Sequence, residues 1–210
     1  MYSLTYNIIG IKYFDMAIEE LKKLEALDFT KQLTFAYLTC ERLFPNYVYF
    51  AENFDFGEPT ILREAIDFLY LNIFEKNIDK NKIDFFVKKV EKNTPDTEDF
   101  STIFVSSALD VCTCILDSLD FLADKQLSHL KSILSYATDS VDMYVREIEN
   151  IEASDKDFMK KVNEHPLMKK EISVQQGIIA FLCNTISPDY GDIQTLLHLQ
   201  DNNNKSNLGL

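Results

Sequence analysis

An all-α fold is what this sequence predicts: a single-domain bundle of about eight or nine helices with one long antiparallel helical hairpin. Three observations carry the prediction. Apolar residues recur at helical spacing from Tyr13 to Leu197, with charged residues on the opposite faces. Gly and Pro number only five each, whereas a chain of many β-turns needs more of both. Apolar residues make up 46% of the chain and aromatics 12%, enough for a sizeable core without disulfides.

The first helix is expected over Tyr13 to Leu27, where Phe14, Ala17, Ile18, Leu21, Leu24 and Leu27 share a face. Asp28 or Thr30 supplies a cap for the second, whose stripe is Leu33, Ala36, Tyr37, Cys40, Leu43 and Phe44. Pro45 is expected to interrupt that helix. Tyr47 to Asn53 then adds a short helical turn, and Gly57 permits a positive φ before the next element. Pro59 suits the first turn of a third helix, Thr60 to about Lys76. Its apolar residues form two adjoining rows, one with Ile61, Ala65 and Phe68, the other with Leu62, Ile66, Leu69 and Ile73. So wide an arc places it at the centre of the core. A shorter helix turns Ile83, Phe86, Val87 and Val90 inward, and Asn93-Thr94-Pro95-Asp96 ends it.

The next two helices have the most regular pattern. Phe104, Ala108, Val111, Ile115, Ser118 and Leu122 alternate by fours and threes. After a break near Asp124 to Gln126, Leu127, Leu130, Leu134, Ala137, Val141, Tyr144, Ile148 and Ile151 continue in the same way. That seam is about 37 Å of helix at 1.5 Å per residue. A short connection predicts antiparallel neighbours; a seam between two copies of the chain is the alternative. Ser154 with Asp157 resembles a capping box for a short helix. His165-Pro166 opens another, with Met168, Ile172, Ile179, Leu182 and Ile186 inward. Ser187-Pro188 begins a last short helix holding Ile193, Leu196 and Leu197. The domain is expected over 1–199, with 200–210 a polar, Asn-rich, frayed tail.

The stretch from Cys40 to Gly57 is unlike the rest, packing six aromatics, a proline and adjacent opposite charges around a helix break. In one reading Glu41 and Arg42 rim a pocket lined by Tyr47, Tyr49 and Phe50. In the other the aromatics plug the core, Glu41 pairs with a neighbouring helix, and Arg42 reaches the last carbonyls of its own helix.

A net charge of −13 repels phosphate backbones and anionic bilayers, so neither nucleic acid nor membrane is an expected partner. The four cysteines, Cys40, Cys112, Cys114 and Cys183, lie in apolar helical patterns, where free Cys behaves as a small hydrophobe. Met-Tyr-Ser-Leu-Thr-Tyr-Asn lacks the basic start and apolar run of a secretory leader, and the expected compartment is the cytoplasm.

Asp110, Cys114 and Asp117 share one helical face, a set that would suit a metal or acid–base work, or simply ion pairs between helices. Cys112 and Cys114 point apart and make a poor chelate. Gln175 falls in an apolar stripe beside Glu171, so its amide needs partners, either structural or in a pocket. Familiar catalytic signatures are missing from the sequence: Glu-x-x-His, Cys-x-x-Cys, a Gly-rich phosphate loop and Gly-x-Ser-x-Gly. His129, His165 and His198 are scattered without metal spacing. No metal and no cofactor is expected.

Cys-Glu-Arg-Leu-Phe-Pro-Asn-Tyr at Cys40 to Tyr47, Phe56-Gly57 and Ile61-Leu62-Arg63 resemble the bacterial YjaG-type family, a domain of unknown function. Asp110-Val111-Cys112 and His165-Pro166-Leu167, with Glu171 and Gln175 downstream, support the match, which runs from about Leu21 to Leu197. Phe68-Leu69-Tyr70 departs from it, since many members are expected to carry a Trp there and this chain has none. The resemblance implies an all-helical cytoplasmic bacterial protein, with no substrate, cofactor or catalytic residue to carry over. It directs attention to the polar members of the matching blocks.

Two functions follow as expectations. The first is an interaction or regulatory module acting through surface contacts, with a protein partner or a second copy of itself. The alternative is an enzyme or small-ligand binder with a site around Glu41, Arg42, Asn46, Tyr47, Arg63, Asp110 and Gln175.

Overall fold

In the computed structural model, which describes residues 18–75, 77–152, 154–201, 203 and 205–210, the longest helix is α2, Phe29–Phe54. Before it, residues 18–25 form helix α1 and bury Leu24. Residues 13–17 of the expected first helix lie outside the described residues. After α2 come α3 (Pro59–Asn72), α4 (Lys80–Lys92), a 3-10 turn (Thr97–Asp99), α5 (Phe104–Asp124) and α6 (Leu127–Ile148). The chain closes with α7 (Phe158–Glu164), α8 (Pro166–Asn184) and α9 (Tyr190–Gln200). The described residues hold helices and no strand, and none of these helices is long and apolar enough to cross a membrane.

Helix α2 is the central rod, packed by α3, α5, α6, α8 and α9. Residues 32–40 are buried without exception. Thus Phe35 and Leu38, off the expected stripe, are as deep in the core as Leu33 and Cys40. Asp28 caps the helix, its carboxylate accepting from Lys31 N–H. The expected interruption at Pro45 does not occur, and Tyr47 to Asn53 belong to the same rod. Pro45 gives the Glu41 carbonyl no N–H partner, but Leu43, Tyr47 and Phe50 on either side bury fully in one core and hold the helix together.

The aromatic plug lies where α2 ends. Phe50 is fully buried and meets Phe54, Phe56 and Phe100 at ring distances of 5.1, 5.8 and 4.9 Å. Tyr47 donates to the Asn93 carbonyl at 2.7 Å, and the Asn93 side chain accepts from Glu58 N–H at 2.8 Å. Gly57 sits at φ +68°, and a Cβ there would run into the Tyr47 hydroxyl. Glycine is therefore required by both backbone and space.

Helices α5 and α6 form the antiparallel hairpin, joined only by Lys125 and Gln126. Lys125 adopts φ +61° and its N–H closes onto the Phe121 carbonyl. Contacts between Asp110 and Ser140 and between Asp117 and His129 fix the direction. The seam buries Leu130, Leu134, Ala137 and Val141 within the chain and leaves Leu127 and Ile148 exposed at its ends.

Other departures are local. Helix α3 ends at Asn72, short of the expected Lys76. Asp157 makes no side-chain capping bond, so the Ser154–Asp157 box is not formed. A capping box does form between Asp189 and Asp192, opening α9. Ile186 is 96% exposed rather than inward, because α8 stops at Asn184. The expected frayed tail is also revised, since Ser206, Asn207 and Leu208 are buried. Leu208 joins Val141, Val145, Ile151, Val162 and Met168 in a second, smaller apolar cluster.

Candidate functional site

The seven residues singled out from the sequence fall into four settings. Glu41 accepts from both terminal nitrogens of Arg63 at 2.7 Å, a bidentate pair joining α2 to α3. Arg63 also meets Asp67 at 2.9 Å and lies over the Phe44 ring. Burial works against charge on Arg63, but the Glu41 hydrogen bond and the two carboxylates outweigh it and raise its pKa.

Arg42 points into the molecule rather than along its own helix. Its Nε lies 3.1 Å from both oxygens of Glu171 on α8, and its Nη1 donates to Gln200 on α9 at 3.0 Å. Its Nη2 stands 2.9 Å from Glu171 Oε1 as an ion-pair contact that lacks hydrogen-bond geometry. Gln175 completes the network, donating to Glu171 at 2.9 Å and to the Leu134 carbonyl at 3.3 Å. All four side chains are buried.

Asn46, one turn along α2, donates to the Asn207 side-chain oxygen at 3.0 Å. Asn207 in turn donates to the Ala137 carbonyl at 2.9 Å. Asn46 Oδ1 is buried with no hydrogen-bond partner. Arg42 and Asn46 on α2 are thus linked, through Glu171 and Gln175 and through Asn207, to the Leu134 and Ala137 carbonyls of α6 in one polar seam through an apolar core. Sequence reading placed Glu171 beside Gln175 but missed Gln200 and Asn207, which lie in a polar stretch where nothing distinguishes a buried amide from a solvated one.

Tyr47 belongs to the aromatic plug, and burial pushes its hydroxyl well above the ordinary range. Asp110 stands apart on the hairpin, accepting from Ser140 at 2.6 Å. Burial pushes its pKa up to about 7, with the Ser140 bond pulling down and Asp139 pushing further up.

The structure does not bring Asp110, Cys114 and Asp117 to one point. Cys114 turns to Cys40, sulfur to sulfur at 3.7 Å. Cys112 faces the Asn93 carbonyl instead. Asp117 accepts from Tyr136 at 2.7 Å and lies 2.9 Å from His129 Nδ1. The tight hairpin turn brings His129, unremarkable by spacing, against Asp117 and also within 3.4 Å of Asp124. Burial lowers the pKa of His129, but its bonds to the two aspartates prevail and the net shift is upward. Asp117, Asp120 and His129 could each offer one metal-ligand atom, all within 4.8 Å of one another.

Residues 19–210 match the model of a protein family described as "Protein of unknown function (DUF416)". The uncharacterized protein YjaG of Escherichia coli K12 is 26% identical over 189 residues, covering 90% of this chain and 94% of that one. The uncharacterized protein YjaG of Salmonella typhimurium is 24% identical over the same shares of both chains. The crystal structure of a DUF416 family protein from Shewanella baltica has a TM-score of 0.82 at 25% identity, covering 90% of this chain and 97% of that chain.

Proposed function

Since the chain belongs to the DUF416 family of proteins of unknown function, we propose a role from the site itself: a helical interaction module, in the cytoplasm, that acts through surface contacts. One observation supports this reading above the others. Glu41, Arg42, Arg63, Asp110 and Gln175 are each engaged by a group on a different helix. Polar groups held this way specify how helices pack. A substrate site instead aims several of them at one shared volume.

The small-ligand reading retains one supporting observation. Arg42 Nη2 and Asn46 Oδ1, a donor and an acceptor one turn apart, are buried without hydrogen-bond partners, and such groups ordinarily find one.

Two measurements separate the readings. Photo-reactive residues placed singly at the exposed positions Leu71, Phe85, Met143 and Tyr190 are expected to give discrete adducts in cells at one contiguous set of positions. Native mass spectrometry of the purified chain is expected to give the bare polypeptide mass. A stoichiometric small molecule, released on unfolding and lost in Asn46→Leu, would replace the interaction reading with the ligand one.

A further inference from the structure

A ladder of aromatic rings runs from the core to the surface beside α9. Tyr37 is buried and meets Tyr70 at 5.2 Å. Tyr190, the first residue of α9, lies 6.2 Å from Tyr70 and 4.3 Å from Phe74. Tyr190 is 59% exposed, and Leu71 in the last turn of α3 is 62% exposed. Single apolar residues are scattered over any soluble surface, but a contiguous group rimmed by polar residues marks a contact site. Tyrosine and phenylalanine are enriched at such sites.

The rim is rich in acidic residues. Glu64, Asp67 and Glu75 stand exposed along and after α3, and Asp189 and Asp192 flank Tyr190. Asp67 and Leu71, four apart on the helix, are neighbours. Residues 64–75 and 171–204 contain no Lys or Arg, Lys76 follows Glu75 directly, and Arg63 is already held by Glu41 and Asp67. A second copy would set these same acids against one another in a chain of net charge −13, and like charges across an interface oppose assembly. The described residues hold no strand and so offer no sheet edge to extend. Apolar anchors at helical spacing suit a face built, like this one, from separate side chains on two helices.

We propose that the face formed by Tyr70, Leu71, Phe74 and Tyr190, with its acidic rim, docks a basic amphipathic helix of another protein. Apolar anchors of that helix cover Leu71 and Tyr190, and its Lys and Arg residues meet Asp67, Asp189 and Asp192. This assignment deepens the interaction reading above and depends on it.

The test uses the whole chain and a synthetic helical peptide about 18 residues long, with Leu on one face, Lys on the other and a single Trp. The chain has no Trp, so Trp emission reports the peptide alone. The Lys peptide is expected to bind more weakly as salt rises, and to lose about tenfold or more against Leu71→Ser/Tyr190→Ser. Met143→Ser, an exposed site on α6, should bind as the parent does, with circular dichroism confirming that both variants are folded. Equal binding by a Glu-for-Lys peptide overturns the proposal. So does equal binding by a scrambled Lys peptide, which would reduce the attraction to bulk charge. A dimer in sedimentation that Leu71→Ser/Tyr190→Ser dissolves gives the face to a second copy instead. Each of these failures leaves the interaction reading standing. That reading falls separately, on a bound small molecule in native mass spectrometry.

Discussion

A guanidinium as deeply buried as that of Arg42 is tolerable only while Glu171 faces it. Glu171→Leu should therefore cost about 3–5 kcal/mol in urea melts, since it strands a charge. Arg42→Met with Glu171→Leu should recover most of that loss, because well-packed apolar replacements of a buried pair are often neutral. A double variant as unstable as the single would place the cost in packing rather than charge. Asp110 makes a pH prediction of definite sign. Unfolded, it gives up its proton near pH 4 or so; folded, it keeps the proton up to about 7. Between these values the native state binds the extra proton, so stability falls as pH rises through the window and levels off above it. Asp110→Asn should flatten that fall in urea midpoints compared at about pH 5 and about pH 7.5. Asp120 and Asp139 are raised too, by burial first, so a shallower slope remains.

At the level of the helix, Pro45 is the informative position. It sits inside α2 and withholds one backbone hydrogen bond. Pro45→Ala should restore that bond and raise stability by about 1–3 kcal/mol, read as a higher urea midpoint. A loss would show that the pyrrolidine ring itself is packed. The same residue shows where sequence reading ends. Local rules stop a helix at proline, while burial of Leu43 and Tyr47 on either side carries it through. Most rods were legible because their apolar residues repeat at helical period, as in Ala108, Val111 and Ile115 or Leu130, Leu134 and Ala137. The inward turn of Gln175 was legible for that reason, and so was the Glu41 pairing with a neighbouring helix. The Arg42 partner was not, because Glu171 lies 129 residues away. Asn207 was missed in the same way, since its acceptor is a backbone carbonyl 70 residues distant that no side-chain pattern announces.

Over the whole molecule, the two apolar clusters among the described residues are bridged by residues 205–210. Leu208 fills the smaller cluster while Asn207 reaches α2 and α6. Removing residues 205–210 should strip partners from Asn46 and the Ala137 carbonyl and open the smaller cluster. The expected cost is about 2–5 kcal/mol, seen as a lower midpoint in both heat and urea. An unchanged midpoint would mean these contacts add nothing net. The four thiols supply an internal gauge for such losses. Cys40, Cys112 and Cys114 are sealed inside and Cys183 is outside, and burial pushes the Cys112 thiol up to about 12. An alkylating reagent therefore finds one sulfur immediately, Cys40 and Cys114 only during excursions that part α2 from α5, and Cys112 only when α5 parts from Asn93 at the end of α4. Counting labelled sulfurs against time would reveal how often the unaltered chain breathes, with no dye or tag attached.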